Sequence, residues 1–481
     1  MKRRVLLRVL SFLLGLVALA MLPSLAIALF EGETGTARAF AIPIAAALTA
    51  ALAAVFLGRK APMAFRSRDG FLLVSLAWIL TGFLGAAPFM ISGHIPSLAD
   101  AVFECVSGLT TTGASILKDV EALPRSLLFW RAMTHWLGGM GIVVLTVALM
   151  PLLGVGGFQL VKAETPGPEK DKVAPKITAT AKILWFIYFG LTALQVALLM
   201  AGGLDWFDST THAFASMATG GFSTKNASVG HFRSAWVDGV CTTFMILAGM
   251  NFSLFYRLYK GKWRDLIVNS ELKAYLAVFF GSSLVIAVSI LPLYGNFFTA
   301  FRFASFQSSS ILTTTGFATA DFDKWPEFAK AVLLFLMFVG GCSGSTGGGI
   351  KVVRLVVLFK QAGNEMRRLL YPRGVFSVRL NGKVGRKDLV YGVAGFVSLY
   401  MAIMLATMLV VASSGADLVT SLSASLATLG NIGPGFNAVG PVMNYSAFPD
   451  YVKWTLSFAM LAGRLELWTV VILFKPEFWR G

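Results

Sequence analysis

The chain has 481 residues, 56% of them hydrophobic and only 14% charged, and its mean hydropathy is +0.72; this composition excludes an ordinary soluble domain and points to a polytopic membrane protein. The net charge of +17 would suit a nucleic-acid partner only if the basic residues clustered on a water-soluble domain, and none is visible, so the charge is read as membrane topology. Cys105, Cys241 and Cys342 lie in or beside apolar stretches; their odd number argues against a disulfide framework, and no metal-site spacing accompanies them.

Met1-Lys2-Arg3-Arg4 leads into an apolar run from Val5 to Phe30. The basic start and Ala18-Leu19-Ala20 have the outline of a signal peptide, but the run exceeds the ~7–15 residues of a signal core and continues past the candidate cut, so a retained first span is expected. Glu31 to Arg38 is a polar turn, and Ala39 to Leu57 is a second span, long enough for the ~30 Å hydrocarbon core. Arg59, Lys60, Arg66 and Arg68 return the chain to a basic side.

From residue 69 a unit of about a hundred residues repeats, a domain-sized period rather than that of a solenoid. Its paired spans are expected near 71–92 and 126–153, 181–201 and 234–256, 272–293 and 327–360, and 388–412 and 451–474. Between each pair a shorter, half-apolar segment ends in a polar turn: Thr110-Thr111-Thr112-Gly113-Ala114-Ser115, Ala218-Thr219-Gly220-Gly221-Phe222-Ser223-Thr224, Thr313-Thr314-Thr315-Gly316-Phe317-Ala318-Thr319, and the divergent Gly430-Asn431-Ile432-Gly433-Pro434-Gly435-Phe436. The turn glycines Gly113, Gly221, Gly316 and Gly433 are 108, 95 and 117 residues apart. Parallel internal repeats are a habit of transport proteins. The expected fold is an all-α polytopic membrane protein in which four repeats of span, pore loop and span (69–160, 161–262, 263–375 and 376–481) surround one central pore with fourfold pseudo-symmetry, after a two-helix extension over 1–68.

Of the 41 Lys and Arg residues, 30 fall at the N-terminus, at the C-terminus and in the loops near 59–70, 156–182, 257–273 and 351–387. That side is predicted to be cytoplasmic. The other 11, including Lys118, Lys225 and Lys324, fall on the opposite side or within the membrane, which puts the four turns near the outer face. Ten full spans follow, in the cytoplasmic (inner) membrane, with both termini cytoplasmic.

The segments before the turns, about 13 residues in Asp100 to Thr112 and in Asp208 to Gly220, are too short to cross a bilayer. They read as half-helices entering from outside, with Asp100 and Asp208 as N-caps; the third and fourth copies lack an Asp at this spacing. Each half-helix points the negative end of its dipole, about half a charge, at whatever lies on the axis, and four such ends favour a cation. Non-helical backbone at membrane depth is tolerated only where it lines water or is buried in protein. Thr hydroxyls and backbone carbonyls are uncharged hard oxygens suited to replacing part of an alkali ion's hydration shell, and glycine lets the chain turn carbonyls inward. Calcium selectivity would call for carboxylates, and the turns contain none.

These turns, with Trp136-Leu137-Gly138-Gly139-Met140-Gly141, the glycine-rich break described next and Ala462-Gly463-Arg464-Leu465-Glu466, make the chain resemble the Trk-type potassium uptake proteins, in the superfamily that also holds the Ktr and HKT transporters. The resemblance covers essentially the whole chain. It implies a selectivity filter with one key glycine per repeat, and ion-binding positions at Thr111, Thr112 and Gly113; Thr219, Gly220 and Gly221; Thr314, Thr315 and Gly316; and Asn431, Ile432 and Gly433. In the plant HKT branch sodium preference accompanies a serine at the first filter glycine, so Gly113 argues for potassium. The resemblance also implies a homodimer on a cytosolic ring of nucleotide-binding regulatory subunits of the TrkA type, with the basic inner loops as docking surface and K+ as the transported ion without an organic cofactor.

Gly340-Gly341-Cys342-Ser343-Gly344-Ser345-Thr346-Gly347-Gly348-Gly349 holds six glycines in ten residues, between apolar arms 331–339 and 350–359 that are each half a membrane long. Each glycine lowers helix propensity by about 1 kcal/mol, so a continuous helix is implausible. An ordinary cytoplasmic linker would leave two half-spans without a full span, and no Gly-Lys-Ser/Thr ending marks a phosphate loop. The preferred reading, which the resemblance also implies, is an intramembrane gate loop below the turns. By resemblance Arg464 is a positive element of the pore near that loop; intramembrane charges are functional suspects unless they pair or snorkel. Lys351 reads either as such a charge or as the cytoplasmic anchor of its half-helix. Glu104 reads as a structural hydrogen-bonding residue, His135 and His212 as packed polar residues, and Trp136 with Gly138 to Gly141 as a close-packing face.

Potassium uptake through a gated four-part filter is therefore expected. The alternatives are a sodium translocator of the same architecture, an intramembrane enzyme, which would need a nucleophile and base or paired acids that are not apparent, and a receptor-like sensor.

Overall fold

The computed structural model describes residues 3–57, 67–141, 177–384 and 387–480. Arg59, Lys60, Arg66, the predicted span residues 142–153 and the connector up to residue 176 lie outside them.

The N-terminal extension comprises α1 (Arg3–Ala20) and α2 (Leu22–Phe30), which together form one span, and α3 (Thr34–Leu57). It is packed, not trailing: Val9, Leu13, Val17, Met21 and Phe40 share a core with Leu73, Val74 and Trp78 of α4 (Ser67–Ile91).

After this, one order of elements occurs four times: a long outer helix, a short buried helix ending in a turn, and a second helix. The first set is α4, α5 (Leu98–Leu109) and α6 (Arg125–Gly139). The second is α7 (Ile177–Ala201), α8 (Trp206–Met217) and α9 (Ala235–Ala248), continued by α10 (Phe252–Tyr259). The third is α11 (Ser270–Tyr294), α12 (Phe297–Leu312) and α13 (Glu327–Met337), continued by α14 (Val352–Leu370) and a hairpin of β1 (Arg379–Leu380) and β2 (Lys383–Val384). The fourth is α15 (Lys387–Ala412), α16 (Leu418–Leu429) and α17 (Asp450–Arg464), continued by α18 (Trp468–Val471).

Burial inverts the logic of a soluble fold. The apolar outer spans Ala181–Ala201, Ser270–Tyr294 and Asp388–Ala412 bury only 22%, 28% and 28% of their most apolar windows, so most of that surface faces outward, where hydrocarbon is the fitting solvent. The short helices are richer in small polar residues and yet lie inside: ten of the twelve residues of α5 are buried, as are Ser308, Ser309 and Ser310 of α12 and Ser421, Ser423 and Ser425 of α16. Small side chains let backbones approach closely. A β-carbon at Gly138 would strike the Leu109 carbonyl, one at Gly463 the Leu429 carbonyl, and one at Gly139 would come within 2.7 Å of Ala218, which is the close-packing role expected of the glycines after Trp136.

The second helices depart from expectation. Among the described residues six helices are long and apolar enough to cross a membrane singly, and two bent pairs pass the same test together; the predicted span 126–153 lies partly outside those residues. α9 and α10 meet at 92°, α17 and α18 at 113°, and α13 is parted from α14 by the glycine-rich loop. Gly249 sits at the first bend, whereas Glu466 and Leu467 at the second take φ of 59° and 35°, a conformation that a continuous helix does not contain.

Candidate functional site

The four short helices share one capping scheme at each end. At the N-terminus the side chains of Ser97, Asp205, Asn296 and Asp417 accept from the backbone N–H of Asp100, Asp208, Phe298 and Thr420. The caps are therefore not Asp100 and Asp208, which lie three residues inside. The correction has a physical basis: a capping side chain must precede the helix to reach the free N–H groups of its first turn. Asp100 instead pairs with Lys453 at 2.5 Å, and Asp208 with Lys225 at 3.4 Å. At Asp417, hydrogen bonds from Thr420 hold the carboxyl below its ordinary range.

At the C-terminus every short helix closes with a Schellman pair. Thr112 N–H donates to Ser107 O, Gly220 N–H to Ala215 O, Thr315 N–H to Ser310 O and Ile432 N–H to Ala427 O, all at 2.8 Å. The residue before each takes a left-handed conformation, with φ of 54° at Thr111, 54° at Thr219, 61° at Thr314 and 54° at Asn431. Glycine is the usual occupant; a β-branched residue there costs about 1–3 kcal/mol and persists only where its surroundings compensate. Thr314 Oγ1 accepts from Gly348 N–H at 2.6 Å, and Asn431 Nδ2 donates to Met460 O at 2.9 Å. Thr111 Oγ1 is buried with no hydrogen-bond partner among the described residues.

Two residues further on, Gly113, Gly221, Gly316 and Gly433 take φ of 79°, 80°, 84° and 99°. Here glycine is required twice over, by conformation and by space. A β-carbon at Gly113 would strike the carbonyl of Gly220, one at Gly221 that of Thr315, one at Gly316 that of Ile432, and one at Gly433 would lie 2.6 Å from that of Thr112. The contacts close on themselves: each turn presents one carbonyl to the glycine of the turn before it, and the fourth receives that of the first. Eight of the twelve sequence-predicted turn positions take part in these contacts, and Thr111, Thr219, Thr314 and Asn431 adjoin them in the chain. The four glycines floor a vestibule of about 150 Å3, whose wall includes Lys118, Arg131, Lys225 and Tyr445.

Each junction between neighbouring turns is braced. Between the first and second, His135 Nε2 accepts from Phe222 N–H at 3.1 Å while Nδ1 lies 2.8 Å from Gly108 O, which fixes the neutral tautomer protonated at Nδ1. Arg131 holds Glu104 at 2.8 Å and Ser223 O at 3.1 Å, with its guanidinium 4.0 Å from the Phe222 ring centre. Glu104 in turn accepts from Ser115 Oγ and Ile116 N–H at 3.0 Å. Between the second and third, Gly230 N–H donates to Ala318 O at 3.0 Å, and the His212 ring stacks on Phe317 at 5.7 Å. Between the third and fourth, Asn437 N–H donates to Asp323 at 3.0 Å. Between the fourth and first, Asn431 reaches Thr112, and Tyr445 donates to Gly433 O at 2.8 Å while its own N–H meets Ser115 O at 2.8 Å.

The glycine-rich loop lies directly against this ring. Gly340, Gly344 and Gly349 take φ of 80°, 74° and 74°. A β-carbon at Gly347 would come within 2.9 Å of Thr313 O, and one at Gly348 would strike Gly430 O. Thr346 Oγ1 donates to Met217 O at 3.0 Å and Ala248 O at 3.1 Å, Ser345 Oγ to Cys342 O at 2.6 Å, and Cys342 N–H to Gly249 O at 2.8 Å; a β-carbon at Gly341 would lie 2.9 Å from Ser345 Oγ. Arg464 spans the gap to the first repeat, donating to Thr346 O at 2.7 Å, Gly138 O at 2.6 Å and Gly139 O at 3.0 Å. Lys351 is not an anchor at a membrane surface: it is buried and its ammonium bonds Gly347 O within the loop. Glu466 pairs with Arg354, where α17 has ended at Arg464.

Sequence reasoning missed Arg131, Tyr445 and Glu271, which accepts from the loop at Ser343 N–H. Arg131 carried a usable signal, an ionisable residue in an apolar run. The caps carried another: Ser97, Asp205 and Asp417 each stand sixteen residues before their turn glycine.

The chain matches the family described as TrkH, Cation transport protein, over residues 37–282 and 296–480. It is 41% identical over 485 residues, all of both chains, to the Trk system potassium uptake protein TrkH of Halomonas elongata. To the protein of the same name from Escherichia coli strain K12 it is 41% identical over 458 residues, 93% of each chain. The crystal structure of the potassium transporter TrkH from Vibrio parahaemolyticus is similar over 100% of both chains, with 36% identity and a TM-score of 0.89. With its ring of four glycine turns and the loop beneath them, the chain belongs to the TrkH family of cation transport proteins.

Proposed function

We propose that this protein is the potassium-translocating subunit of a Trk system, in which the four turns select the ion and the loop 340–349 gates it. It is a multi-pass protein of the inner membrane and a transporter, not an enzyme. The observation that carries this reading is the closed carbonyl-on-glycine contact of the four turns, which gathers uncharged oxygens of similar geometry around one axis, as partial replacement of an alkali-ion hydration shell requires. Thr111, Thr112, Gly113, Thr219, Gly220, Gly221, Thr314, Thr315, Gly316, Asn431, Ile432 and Gly433 are assigned to the filter. Gly340, Gly341, Ser343, Gly344, Ser345, Thr346, Gly347, Gly348, Gly349 and Arg464 are assigned to the gate. The proposed units are the extension 1–68 and pore repeats 69–160, 161–262, 263–375 and 376–481, with both termini cytoplasmic.

The names of the relatives, as parts of a Trk system, support a partner subunit. We assign it as a cytosolic nucleotide-binding subunit of the TrkA type, acting on a homodimer of this chain. K+ is the cargo, and no organic cofactor is assigned.

The test is cation flux into liposomes that hold only this protein, comparing potassium, rubidium, sodium and lithium under a driving gradient. Preference for potassium and rubidium, abolished by Gly316→Val, is expected. Equal sodium flux, or flux untouched by Gly316→Val, would overturn the filter assignment.

A further inference from the structure

The glycine-rich loop leaves α13 after Met337 and rejoins helical structure at Val352. Its return is poorly prepared: Lys351, the residue before α14, has φ of 81° and offers no side-chain cap, leaving the first-turn N–H groups to find a partner elsewhere. Val352 N–H donates to Gly341 O at 3.1 Å, and Val353 N–H finds its acceptor in Glu271, in the first turn of α11. One carboxylate oxygen, Oε1, accepts from Ser343 N–H at 2.6 Å on the outgoing stem and from Val353 N–H at 3.3 Å on the returning one. Glu271 and Ser343 are buried, 8% and 7% exposed. A carboxylate at a helix N-terminus is favoured by the helix dipole, and hydrogen bonds to an ionised acceptor are about twice as strong as neutral ones.

We propose that Glu271 is the latch of the gate loop, a positioning residue that holds both stems in the blocking conformation so that opening requires the carboxylate to release at least one of them. The inference rests on the gating role assigned to residues 340–349. Glycines confer freedom but no preference, and a loop with six of them needs an external restraint to occupy one conformation. Glu271 supplies that restraint from a helix that itself carries no part of the turn ring. The residue before it is held from the cytoplasmic side of the sequence: Ser270 N–H and Oγ donate to Asn381 Oδ1 at 2.8 and 3.0 Å, and Asn381 lies at the tip of the β1–β2 hairpin. A hairpin of two-residue strands is weakly held, so a force applied to it reaches the latch through a single intervening residue.

The experiment compares basal potassium and sodium flux in liposomes for the unaltered protein, Glu271→Ala, Glu271→Gln, Glu271→Asp and a control lacking Gly347 and Gly348. Glu271→Ala is expected to raise basal potassium flux roughly tenfold, the effect of losing charge-assisted bonds from one of two states, with the potassium-to-sodium ratio unchanged. Glu271→Gln, which keeps a carbonyl acceptor of the same reach but loses the charge, should raise flux by less than Glu271→Ala does. Glu271→Asp, a milder change that retracts the charge by one methylene, should give intermediate flux and serves if the alanine variant does not fold. Raised flux in the shortened-loop control without any rise in monodisperse Glu271→Ala or Glu271→Asp would overturn the latch while leaving the gate intact. No rise in any variant would overturn gate and latch together, and a fall in selectivity in Glu271→Ala would move the residue to the support of the filter.

Discussion

Asn431 Nδ2 donates to Thr112 Oγ1 at 3.0 Å across 319 residues of sequence, joining the last turn of the ring to the first. The acceptor is itself paired, 2.8 Å from Thr110 Oγ1, and the same hydroxyl pair recurs between Thr313 and Thr315 at 2.7 Å in the third turn. The second and fourth turns have Ala218 with Gly220 and Gly430 with Ile432 at these positions. The departure of the fourth turn from the threonine pattern thus has a use: its amide reaches across the junction that a threonine hydroxyl is too short to bridge.

Replacing Asn431 by Leu removes two donors from buried acceptors and is expected to cost about 1–3 kcal/mol. In transport it should weaken discrimination against sodium more than it lowers potassium flux, since the fourth turn loses its tie to the first. Paired flux assays of both ions check this; an unchanged ratio would show that the ring holds its dimensions without the strut.

Gly113→Ser should lower the potassium-to-sodium permeability ratio, because the new β-carbon meets the Gly220 carbonyl and the left-handed φ of 79° disfavours any side chain. Flux competition between the two ions reads the effect, and a ratio equal to that of the unaltered protein would remove Gly113 from the selecting ring.

Arg464→Ala deletes three hydrogen bonds that fasten Thr346 O to Gly138 O and Gly139 O. Basal flux is expected to rise roughly tenfold with selectivity intact, given about 1.5 kcal/mol or more for a bond to a charged group. Stopped-flow ion release from liposomes measures it. A fall in flux would mean that the guanidinium assists permeation instead of restraining the loop.

The Arg131–Glu104 pair is buried on both sides, 3% and 0% exposed in its side chains, so breaking it by Arg131→Met should destabilise the protein by about 3–5 kcal/mol by leaving an uncompensated buried carboxylate. The double variant Arg131→Met with Glu104→Gln should recover part of that loss. Thermal unfolding in detergent follows both, and equal midpoints for the single and double variants would count against the pair as the source.

Asp417 caps α16 in its ionised form, and hydrogen bonds from Thr420 lower its carboxyl from the ordinary value. A lowered acid contributes stability above its unfolded-state titration range, and that contribution is lost as pH falls through the folded one. Asp417→Ala should therefore lower the unfolding midpoint at pH 7, and the gap should close on acidification below about pH 4. A gap independent of pH would assign the cap to geometry alone.

The existence of the repeats and the membrane class were legible because both rest on composition and on a recurring local pattern. A bilayer demands long apolar runs, and a left-handed backbone demands glycine, so Gly113, Gly221, Gly316 and Gly433 could be picked out one by one. The glycine-rich loop was legible for the same reason: no continuous helix accommodates six glycines in ten residues. What a single stretch cannot carry was misread or missed. Asp100 and Asp208 look like caps until Lys453 and Lys225 come to face them, and Lys351 stays open between pore charge and anchor until it is found folded back on Gly347. By itself, then, the sequence determined the chemistry of the turns, since conformation and hydropathy are properties of neighbours in the chain. Only the tertiary structure decided which carbonyl meets which glycine, how Arg464 and Glu271 grip the loop, and where the second helices bend, because these depend on partners separated by 72 residues in one case and 326 in another, and no local preference encodes such a distance.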